Sequence, residues 1–348
     1  MSKETQKVIV AGFGFMGEMH VQAYANIPKA EIVAIVDATP QEAKAKAERL
    51  KLNVPIFTEL KSALAAVSAD IVDICLPTDQ HMEIAVEALK SGKHVFCEKP
   101  LALSLDQAEK IRQALAQAGT FFQVGHCLRF WPEYQAFTKF VREGSAGRLL
   151  SLTLQRRSAR PSYSAGNWLN DEARSLGAAV DLHIHDTDYV VALLGTPPAV
   201  FSRATRDHTG YSHIFTEYLY PDMVVHAEGG WNYPAQWGFH MAFQAVFERG
   251  AVEFDSRQNP SLVITRADGA TELLPFVPAG GGEATGTTGN VSSLGGYVNE
   301  LMYFVDTVAQ GRAPEIATLA QSTESLRVVL AEVESASRGE IVSLKGKI

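Results

Sequence analysis

A glycine-rich segment near the start of the chain has the spacing of a phosphate-binding turn. Residues 8–17 read VIVAGFGFMG, a G-x-G-x-x-G pattern directly after an apolar, strand-like run. In this pattern the first glycine permits a tight turn, the second lets the backbone approach a pyrophosphate, and the third lets helix and strand pack closely. The following helix presents free N–H groups and its positive dipole end to the phosphates. The segment predicts a dinucleotide site formed by Gly12, Gly14, Phe15, Met16 and Gly17.

Asp37 is the residue expected to select the cofactor. It ends the next apolar run, 20 residues after Gly17, where an acidic side chain accepts hydrogen bonds from the adenosine ribose hydroxyls. Residues 38–42 (ATPQE) offer no cation that could pair with a 2′-phosphate, and the carboxylate of Asp37 would repel one. The sequence therefore predicts NAD as the cofactor, with NADP less favoured.

Three further side chains could manage a proton. His185 titrates near neutral pH, so it could take a hydroxyl proton while hydride leaves the same carbon. Asp181, four residues earlier, would share a helix face with His185 and could orient the imidazole or bind a hydroxyl group; a helix salt bridge or cap is the alternative. Lys99 follows a short apolar run and could stabilise a developing alkoxide, or it could be a solvated charge at a strand end. The residues alone leave both roles of Lys99 open.

The side chains around His185 could instead bind a metal ion. The available ligands are Asp181, His183, His185, Asp186 and Asp188. Residues two apart face different sides of a helix, so His183 and His185 could share an ion only if this stretch is extended or bent. We therefore predict no metal here.

Three other residues have a structural and a functional interpretation. Trp168 could pack in a core or form an apolar platform under a sugar ring. Arg129 could make a structural ion pair or bind a polar group of a substrate, and we favour the second. His20 lies in the first predicted helix and is typical of a packed or surface histidine rather than a catalyst.

The first third of the chain alternates between short β-branched runs and helix-like stretches. This alternation predicts βαβ units and a parallel sheet covered by helices on both faces. Strands are predicted at 7–11, 31–36, 71–75, 94–96 and 121–124. Helices are predicted at 43–50, 82–89 and 105–116, the last with Ser104 as N-cap and Gly119 as C-cap.

The pattern changes after residue 124 to longer strands joined by short turns. Strands are predicted at 149–155, 215–220, 224–229, 240–247 and 251–254, which indicates a mostly antiparallel, open-faced sheet. Helices are predicted at 132–143, 297–309 and 318–337, and a Gly- and Thr-rich loop at 279–290. The fold class predicted is α/β, with a doubly wound Rossmann sheet in residues 1–124 and an α+β domain carrying the large sheet in residues 125–348.

Composition limits the partners of the chain. A net charge of −8 and a pI near 5.7 argue against nucleic-acid or anionic-membrane partners. No run approaches the roughly 18 apolar residues of a membrane helix, and the start lacks a signal-like segment. The three cysteines show no CxxC spacing and indicate reduced thiols. These features predict a soluble, cytoplasmic protein with neither a nucleic-acid nor a membrane partner.

Further motifs complete a resemblance that covers essentially the whole chain. They are LPTDQH at 76–81, EKP at 98–100, GHCLRF at 125–130 and DLHIHDTD at 181–188. With the glycine motif, and in this order, they make the chain resemble the Gfo/Idh/MocA family of oxidoreductases, which includes glucose–fructose oxidoreductase and inositol dehydrogenase. The E-K-P element is the most specific of these motifs.

The resemblance implies individual roles. It makes Lys99 the active-site lysine, places Glu98 beside the cofactor, and matches Asp181 and His185 to the D-x-G-x-H pair of the family. The remaining predicted cofactor contacts are Pro77, Thr78, His81 and Lys99. The predicted substrate contacts are Lys99, Arg129, Trp168, Asp181 and His185. The activity implied is NAD(P)-dependent hydride transfer to or from a secondary alcohol of a sugar, cyclitol or polyol, in a homodimer or homotetramer.

Two departures from the family pattern concern the substrate. His183 stands where the family has a glycine, and the preceding glycine run is reduced to LGAA at 176–179. Both are expected to alter the pocket wall next to the reacting carbon. Two other classes stay open: an NAD-dependent glycoside hydrolase that oxidises the sugar transiently, and a non-catalytic regulator that senses the cofactor. The intact E-K-P element favours a dehydrogenase over the first, and the retained lysine and histidine favour it over the second.

Overall fold

The chain divides into two compact units. The computed structural model describes residues 5–277 and 294–345. Of these, residues 5–130, 163–168 and 294–323 form the first unit, and residues 131–162, 169–277 and 324–345 form the second. The predicted loop at 279–290 lies outside the described residues.

The first unit is built on the predicted parallel sheet. Its strands are β1 (Gln6–Ala11), β2 (Ala30–Val36), β3 (Ile56–Phe57), β4 (Ile71–Ile74), β5 (His94–Glu98) and β6 (Phe122–Gly125). All pair in parallel, in the order β3-β2-β1-β4-β5-β6. This is the doubly wound Rossmann order, in which ligands bind outside the carboxyl ends of the strands where the winding reverses, between β1 and β4.

Helices cover this sheet, and local signals place their ends. They are α1 (Phe15–Tyr24), α2 (Pro40–Arg49), α3 (Leu60–Ala66), α4 (His81–Lys90) and α5 (Leu105–Ala118). The predicted caps of α5 are confirmed: the Ser104 hydroxyl accepts from the amide of Gln107 at 3.3 Å, and Gly119 adopts a left-handed conformation with φ +64°.

The second unit contains the predicted large sheet. Its strands are β7 (Leu149–Ala159), β8 (Ala199–Asp207), β9 (Gly210–Tyr218), β10 (Val224–Tyr233), β11 (Phe239–Phe247), β12 (Gly250–Asp255), β13 (Leu262–Arg266), β14 (Thr271–Leu273) and β15 (Val342–Ser343). Their order is β14-β13-β12-β11-β7-β10-β9-β8-β15. Every pair is antiparallel except β7 with β10, which is parallel.

One face of this sheet is packed and the other is exposed. The helices of the unit are α6 (Pro132–Glu143), α7 (Glu172–Ser175), α8 (Ala178–Asp181) and α9 (Ile184–Leu194). Phe137 of α6 stacks on Phe243 of β11 with ring centroids 4.5 Å apart. On the opposite face Phe215, Val224 and Val246 are exposed by 43%, 61% and 45%. This difference between faces confirms the predicted open-faced sheet.

The compact units differ from the domain division predicted at residue 124, because they place part of the C-terminal region with the first unit. After residue 294 the chain forms α10 (Gly295–Ala309) and α11 (Leu319–Arg338). The fully buried Leu301, Phe304 and Val305 of α10 share one apolar cluster with Val8 and Met19 of the first unit. The periodicity of a helix indicates that one face is buried but not which core buries it.

Candidate functional site

The turn between β1 and α1 has the shape of a phosphate-binding cradle, and its glycines are needed for different reasons. Gly12 has φ +95°, and a Cβ there would lie 2.6 Å from the carbonyl oxygen of Cys75. A Cβ on Gly17 would lie 1.9 Å from the carbonyl oxygen of Gly12. At Gly14, in contrast, an added Cβ would meet no atom of the described residues within 4 Å, apart from its two chain neighbours. Gly12 and Gly17 are therefore needed for the turn itself, whereas Gly14 leaves open space at the start of α1, where a helix presents free N–H groups.

Gly14→Ala is expected to weaken NAD binding, whereas Gly17→Ala is expected to lower the stability of the fold. The methyl group at 14 fits the turn but takes the space of the phosphate, so NAD affinity should fall about tenfold or more with stability nearly unchanged. The methyl group at 17 overlaps backbone, so the free energy of unfolding should fall by about 1–3 kcal/mol. Calorimetric titration with NAD and urea unfolding measure the two effects separately. An equal loss of stability in both variants would contradict this assignment.

Asp37 stands at the end of β2 and is tied to the same turn. Its Oδ2 accepts from the amide of Phe13 at 2.8 Å, and its Oδ1 accepts from the amide and the hydroxyl of Thr39 at 2.8 and 2.6 Å. A carboxylate has about four acceptor positions, so this half-buried group keeps capacity for a ribose hydroxyl. Lys46 of α2, which the sequence reasoning missed, donates to the carbonyl of Phe13 at 2.7 Å.

The segment after β4 holds three predicted cofactor residues. Pro77 precedes a 3₁₀ turn at Thr78–Gln80, and the buried hydroxyl of Thr78 has no hydrogen-bond partner among the described residues. The ring nitrogens of His81 lie 2.8 Å from the carbonyl oxygens of Leu76 and Pro100. Burial lowers the pKa of His81 although both carbonyls raise it. The His81 ring therefore lies between the loop after β4 and the loop after β5, with one backbone carbonyl at each nitrogen.

Glu98 and Lys99 follow at the carboxyl end of β5. Glu98 is 4% exposed, and its Oε2 accepts from the backbone amide of Lys99 at 3.1 Å. Lys99 is half-buried, and its peptide bond to Pro100 is cis. β1 and β5 both pair with β4, so they lie two strand spacings apart, about 10 Å. The lysine therefore lies on the same edge of the sheet as the glycine turn.

His20 contacts this site, although the sequence indicated only a packed or surface residue. It is fully buried in α1, with Nδ1 2.9 Å from Asp73 Oδ2 and Nε2 3.0 Å from Glu98 Oε1. Burial would lower the pKa of His20, but the charge of Asp73 outweighs it and holds that pKa well above its ordinary value. Nothing local in the sequence marks this contact, because its partners lie 53 and 78 residues away.

Besides Lys99, two predicted substrate residues lie in the first unit, and both are half-buried. Arg129 lies in a 3₁₀ turn at Cys127–Phe130 and donates to Gln321 at 2.6 Å. Trp168 lies in a kinked segment, Ala165–Asn170. Tyr163, just before that segment, packs on Phe15 at the glycine turn with ring centroids 4.7 Å apart. Met16 follows Phe15 in the chain and is also a predicted cofactor residue; it is half-buried in the first turn of α1.

Asp181 and His185 lie on almost continuous helical backbone in the second unit. α8 ends at Asp181 and α9 begins at Ile184, while Leu182 and His183 keep helical φ and ψ angles. The spacing of four residues therefore keeps Asp181 and His185 on one side, as predicted. Asp181 is 7% exposed and His185 is half-buried.

Comparison with known proteins identifies the family. Residues 6–126 match an oxidoreductase family model with an NAD-binding Rossmann fold, and residues 134–253 match the C-terminal domain model of the same family. An inositol 2-dehydrogenase of Corynebacterium glutamicum is 30% identical over 262 residues, covering 72% of this chain and 73% of the relative. The chain belongs to the Gfo/Idh/MocA family of oxidoreductases.

Two further comparisons extend over nearly the whole chain. An inositol 2-dehydrogenase of Rhizobium meliloti is 26% identical over 340 residues, covering 91% of this chain and 95% of the relative. A levoglucosan dehydrogenase solved with NADH and levoglucosan superposes with a TM-score of 0.85 at 22% identity, covering 98% of this chain and all of that one. The second comparison shows that the two chains share a fold.

His183, which departs from the Gfo/Idh/MocA pattern, lies elsewhere than predicted. Its ring is fully buried, with Nε2 3.0 Å from Oε2 of Glu332 in α11. A Cβ on Gly229 of β10 would lie 2.6 Å from its Nδ1, so the glycine makes room for the ring. The expectation that His183 forms part of a pocket wall is therefore wrong: its ring packs between the sheet and a helix. This placement also argues against a metal shared by His183 and His185.

The three residues after His185 anchor α9. Asp186 pairs with the buried Arg156 of β7 through two hydrogen bonds of 2.8 and 3.1 Å. The Thr187 hydroxyl lies 3.0 Å from Glu332, and Asp188 accepts from Ser325 at 2.7 Å. These contacts hold the helix that carries His185 against the sheet and α11.

Among residues 5–277 and 294–345, no helix is both long enough and apolar enough to cross a membrane.

Proposed function

We propose that this Gfo/Idh/MocA oxidoreductase is an NAD-dependent dehydrogenase that oxidises a secondary alcohol of a sugar, cyclitol or related polyol. One observation carries the proposal: a half-buried lysine lies at the carboxyl edge of the Rossmann sheet, with its backbone held by a buried carboxylate. The names of relatives in the family, which act on inositol and levoglucosan, support a polyhydroxylated substrate.

The residues of the chain would bind NAD and manage the proton. The open space at Gly14, the N-terminus of α1 and the Asp37 carboxylate fit the phosphates and the adenosine ribose of NAD. When bound, NAD supplies the hydride acceptor. Lys99 would stabilise the developing alkoxide with its ammonium group. In that case the His185 imidazole, oriented by Asp181, would take the hydroxyl proton; alternatively Lys99 would be a neutral amine and take the proton on its own Nζ.

The predicted substrate contacts have the chemistry that a polyhydroxylated substrate requires. The guanidinium of Arg129 and the carboxylate of Asp181 suit hydroxyl groups, and the half-buried Trp168 suits an apolar sugar face. The predicted homodimer or homotetramer stays a prediction; the exposed Phe215, Val224 and Val246 on one face of the large sheet support it.

Asp37→Ser should shift the cofactor preference from NAD toward NADP. The carboxylate repels a 2′-phosphate and accepts from the ribose, so its loss should change the ratio of kcat/KM for the two cofactors by about 10- to 100-fold. Steady-state kinetics with each cofactor measure this ratio. Thr39→Val is the matched control, because it removes one hydrogen bond of Asp37 and keeps the charge. A preference that is unchanged in Asp37→Ser would show that Asp37 does not select the cofactor.

The test of the function is NADH formation with a panel of sugars, cyclitols and polyols, with NAD and NADP offered separately. Turnover with NAD on one of them supports the proposal. Free sugar released from a glycoside without net NADH would favour the transient-oxidation hydrolase. NAD binding without any turnover, together with Lys99→Ala retaining full biological activity, would favour a regulator.

A further inference from the structure

His20 lies between two carboxylates inside the first unit, and one of them belongs to Glu98, the residue before the predicted active-site lysine. Both nitrogens of its ring face carboxylate oxygens, at 2.9 Å from Asp73 and 3.0 Å from Glu98. A neutral imidazole has only one N–H and would direct a lone pair at one of these oxygens, whereas an imidazolium donates to both. Since His20 and Asp73 are fully buried and Glu98 nearly so, the geometry favours the charged ring.

The positive charge of the His20 ring is balanced by the carboxylates of Asp73 and Glu98. Titratable side chains of α1, β4, β5 and α10 face His20, together with the residue that follows β4. They are Tyr24 of α1, Asp73 of β4, Cys75 after β4, Glu98 of β5, and Tyr297 and Glu300 of α10. Burial raises the pKa of Tyr24 and Cys75, so these groups stay neutral at pH 7. Burial and the charge of Glu98 raise the pKa of Glu300 well above its ordinary value, which favours its neutral form. Burial also raises the pKa of Glu98, but the hydrogen bond and charge of His20 outweigh it and leave that pKa below its ordinary value.

Glu98 connects His20 to Lys99. One carboxylate oxygen accepts from the His20 ring, and the other accepts from the backbone amide of Lys99. Gly125 leaves the space that this carboxylate occupies, because a Cβ there would lie 2.8 Å from Oε1 of Glu98. A continuous hydrogen-bonded path therefore runs from Asp73 through His20 and Glu98 to the backbone of Lys99.

We propose that His20 is a positioning residue for Lys99: its imidazolium bridges Asp73 and Glu98, keeps Glu98 a carboxylate, and so fixes the lysine at the edge of the sheet. The inference rests on the proposed function, since it takes Lys99 to be the active-site lysine. It adds a residue of α1, outside the catalytic motifs, to the determinants of the reaction.

His20→Gln tests this role, because a glutamine amide offers one donor end and one acceptor end and cannot donate to both carboxylates. Glu98 would then lose its cation, and its pKa would rise. Because Glu98 acts as the ionised group, activity is complete at high pH and is lost as the pH falls through this pKa. The acid limb that Glu98 sets in the kcat profile, which is separate from the limb of the general base, should move up by about one pH unit or more. At pH 7 kcat should fall about 10- to 100-fold, with the Kd for NAD changed much less.

Two comparisons separate positioning from a general structural effect. His94→Gln, at the amino end of the same strand, is the matched control and should leave the profile in place. His20→Gln combined with Glu98→Gln should lose no more activity than Glu98→Gln alone, since both act through one carboxylate. An unmoved acid limb in His20→Gln, or fully additive losses, would overturn the proposal. If His20→Gln does not fold by circular dichroism, Asp73→Asn should move the limb in the same direction.

A second measurement needs no substrate. In protein labelled with ¹⁵N-histidine, the His20 ring should give the signals of an imidazolium at pH 7, with or without NAD, and lose them in Glu98→Gln combined with Asp73→Asn. A neutral His20 ring in the wild type would refute the inference even if the enzyme turns over. An intact imidazolium in a protein that oxidises no polyol would instead refute the proposed function.

Discussion

Lys99→Met should lower kcat for polyol oxidation by about 10³-fold while NAD still binds. Methionine keeps much of the length and apolar volume of the lysine but removes the ammonium. A preorganised donor aimed at a developing oxyanion typically contributes about 10²- to 10³-fold, and a positioned acid or base about 10²- to 10⁴-fold. Steady-state kinetics give kcat, and quenching of protein fluorescence gives the Kd for NAD. A variant within tenfold of wild-type kcat would remove Lys99 from the chemistry.

Comparing Lys99→Met with His185→Ala shows which of the two residues accepts the hydroxyl proton. Both residues could accept it, Lys99 after β5 and His185 in α9. The variant with the larger loss that also abolishes one limb of the pH profile carries the main acid or base. The other residue then orients the substrate or stabilises charge. If neither variant affects turnover, the proposed dehydrogenase chemistry needs other residues altogether.

Arg156→Met should lower the free energy of unfolding by about 3–5 kcal/mol. Arg156 and Asp186 are 3% and 0% exposed and form a paired salt bridge. Removing one partner of a buried pair leaves the other charge uncompensated, and this usually costs more than the intact pair contributes. Urea unfolding followed by circular dichroism measures the loss. Because Asp186 follows His185 directly, the turnover of the variant should fall as well.

Two variants control this result. Arg156→Met combined with Asp186→Leu removes both charges and should recover much of the lost stability. Arg112→Met breaks an exposed pair with Glu109 and should leave unfolding unchanged within error. A loss in Arg156→Met as small as that in Arg112→Met would show that the buried pair does not hold α9 in place.

Features that depend on neighbouring residues could be predicted from the sequence. The glycine turn, the acidic end of β2 and the caps of α5 are local, since a positive φ, a close backbone approach or a free N–H selects particular residue types within a few positions. The alternation of apolar runs with helical stretches likewise predicted the parallel sheet. The motif resemblance then identified the family, which the comparisons confirm.

Three features were decided only by the tertiary structure. α10 returns to the core of the first unit, although nearly 170 residues separate it from β6. His183 turns toward Gly229 and Glu332 rather than toward a pocket. His20 lies between Asp73 and Glu98, which come from two different strands, with one ring nitrogen facing each carboxylate.

The physical reason is common to all three. The sequence by itself determined what each segment becomes locally, because propensities, caps and turn sterics act over a few residues. It also determined the cofactor class and the main candidate residues, because their motifs are local too. Which buried groups meet depends on how segments far apart in the chain pack together. A buried charge needs a partner, and the packing of distant segments supplies it. The sequence around the charged residue therefore carries no sign of that partner.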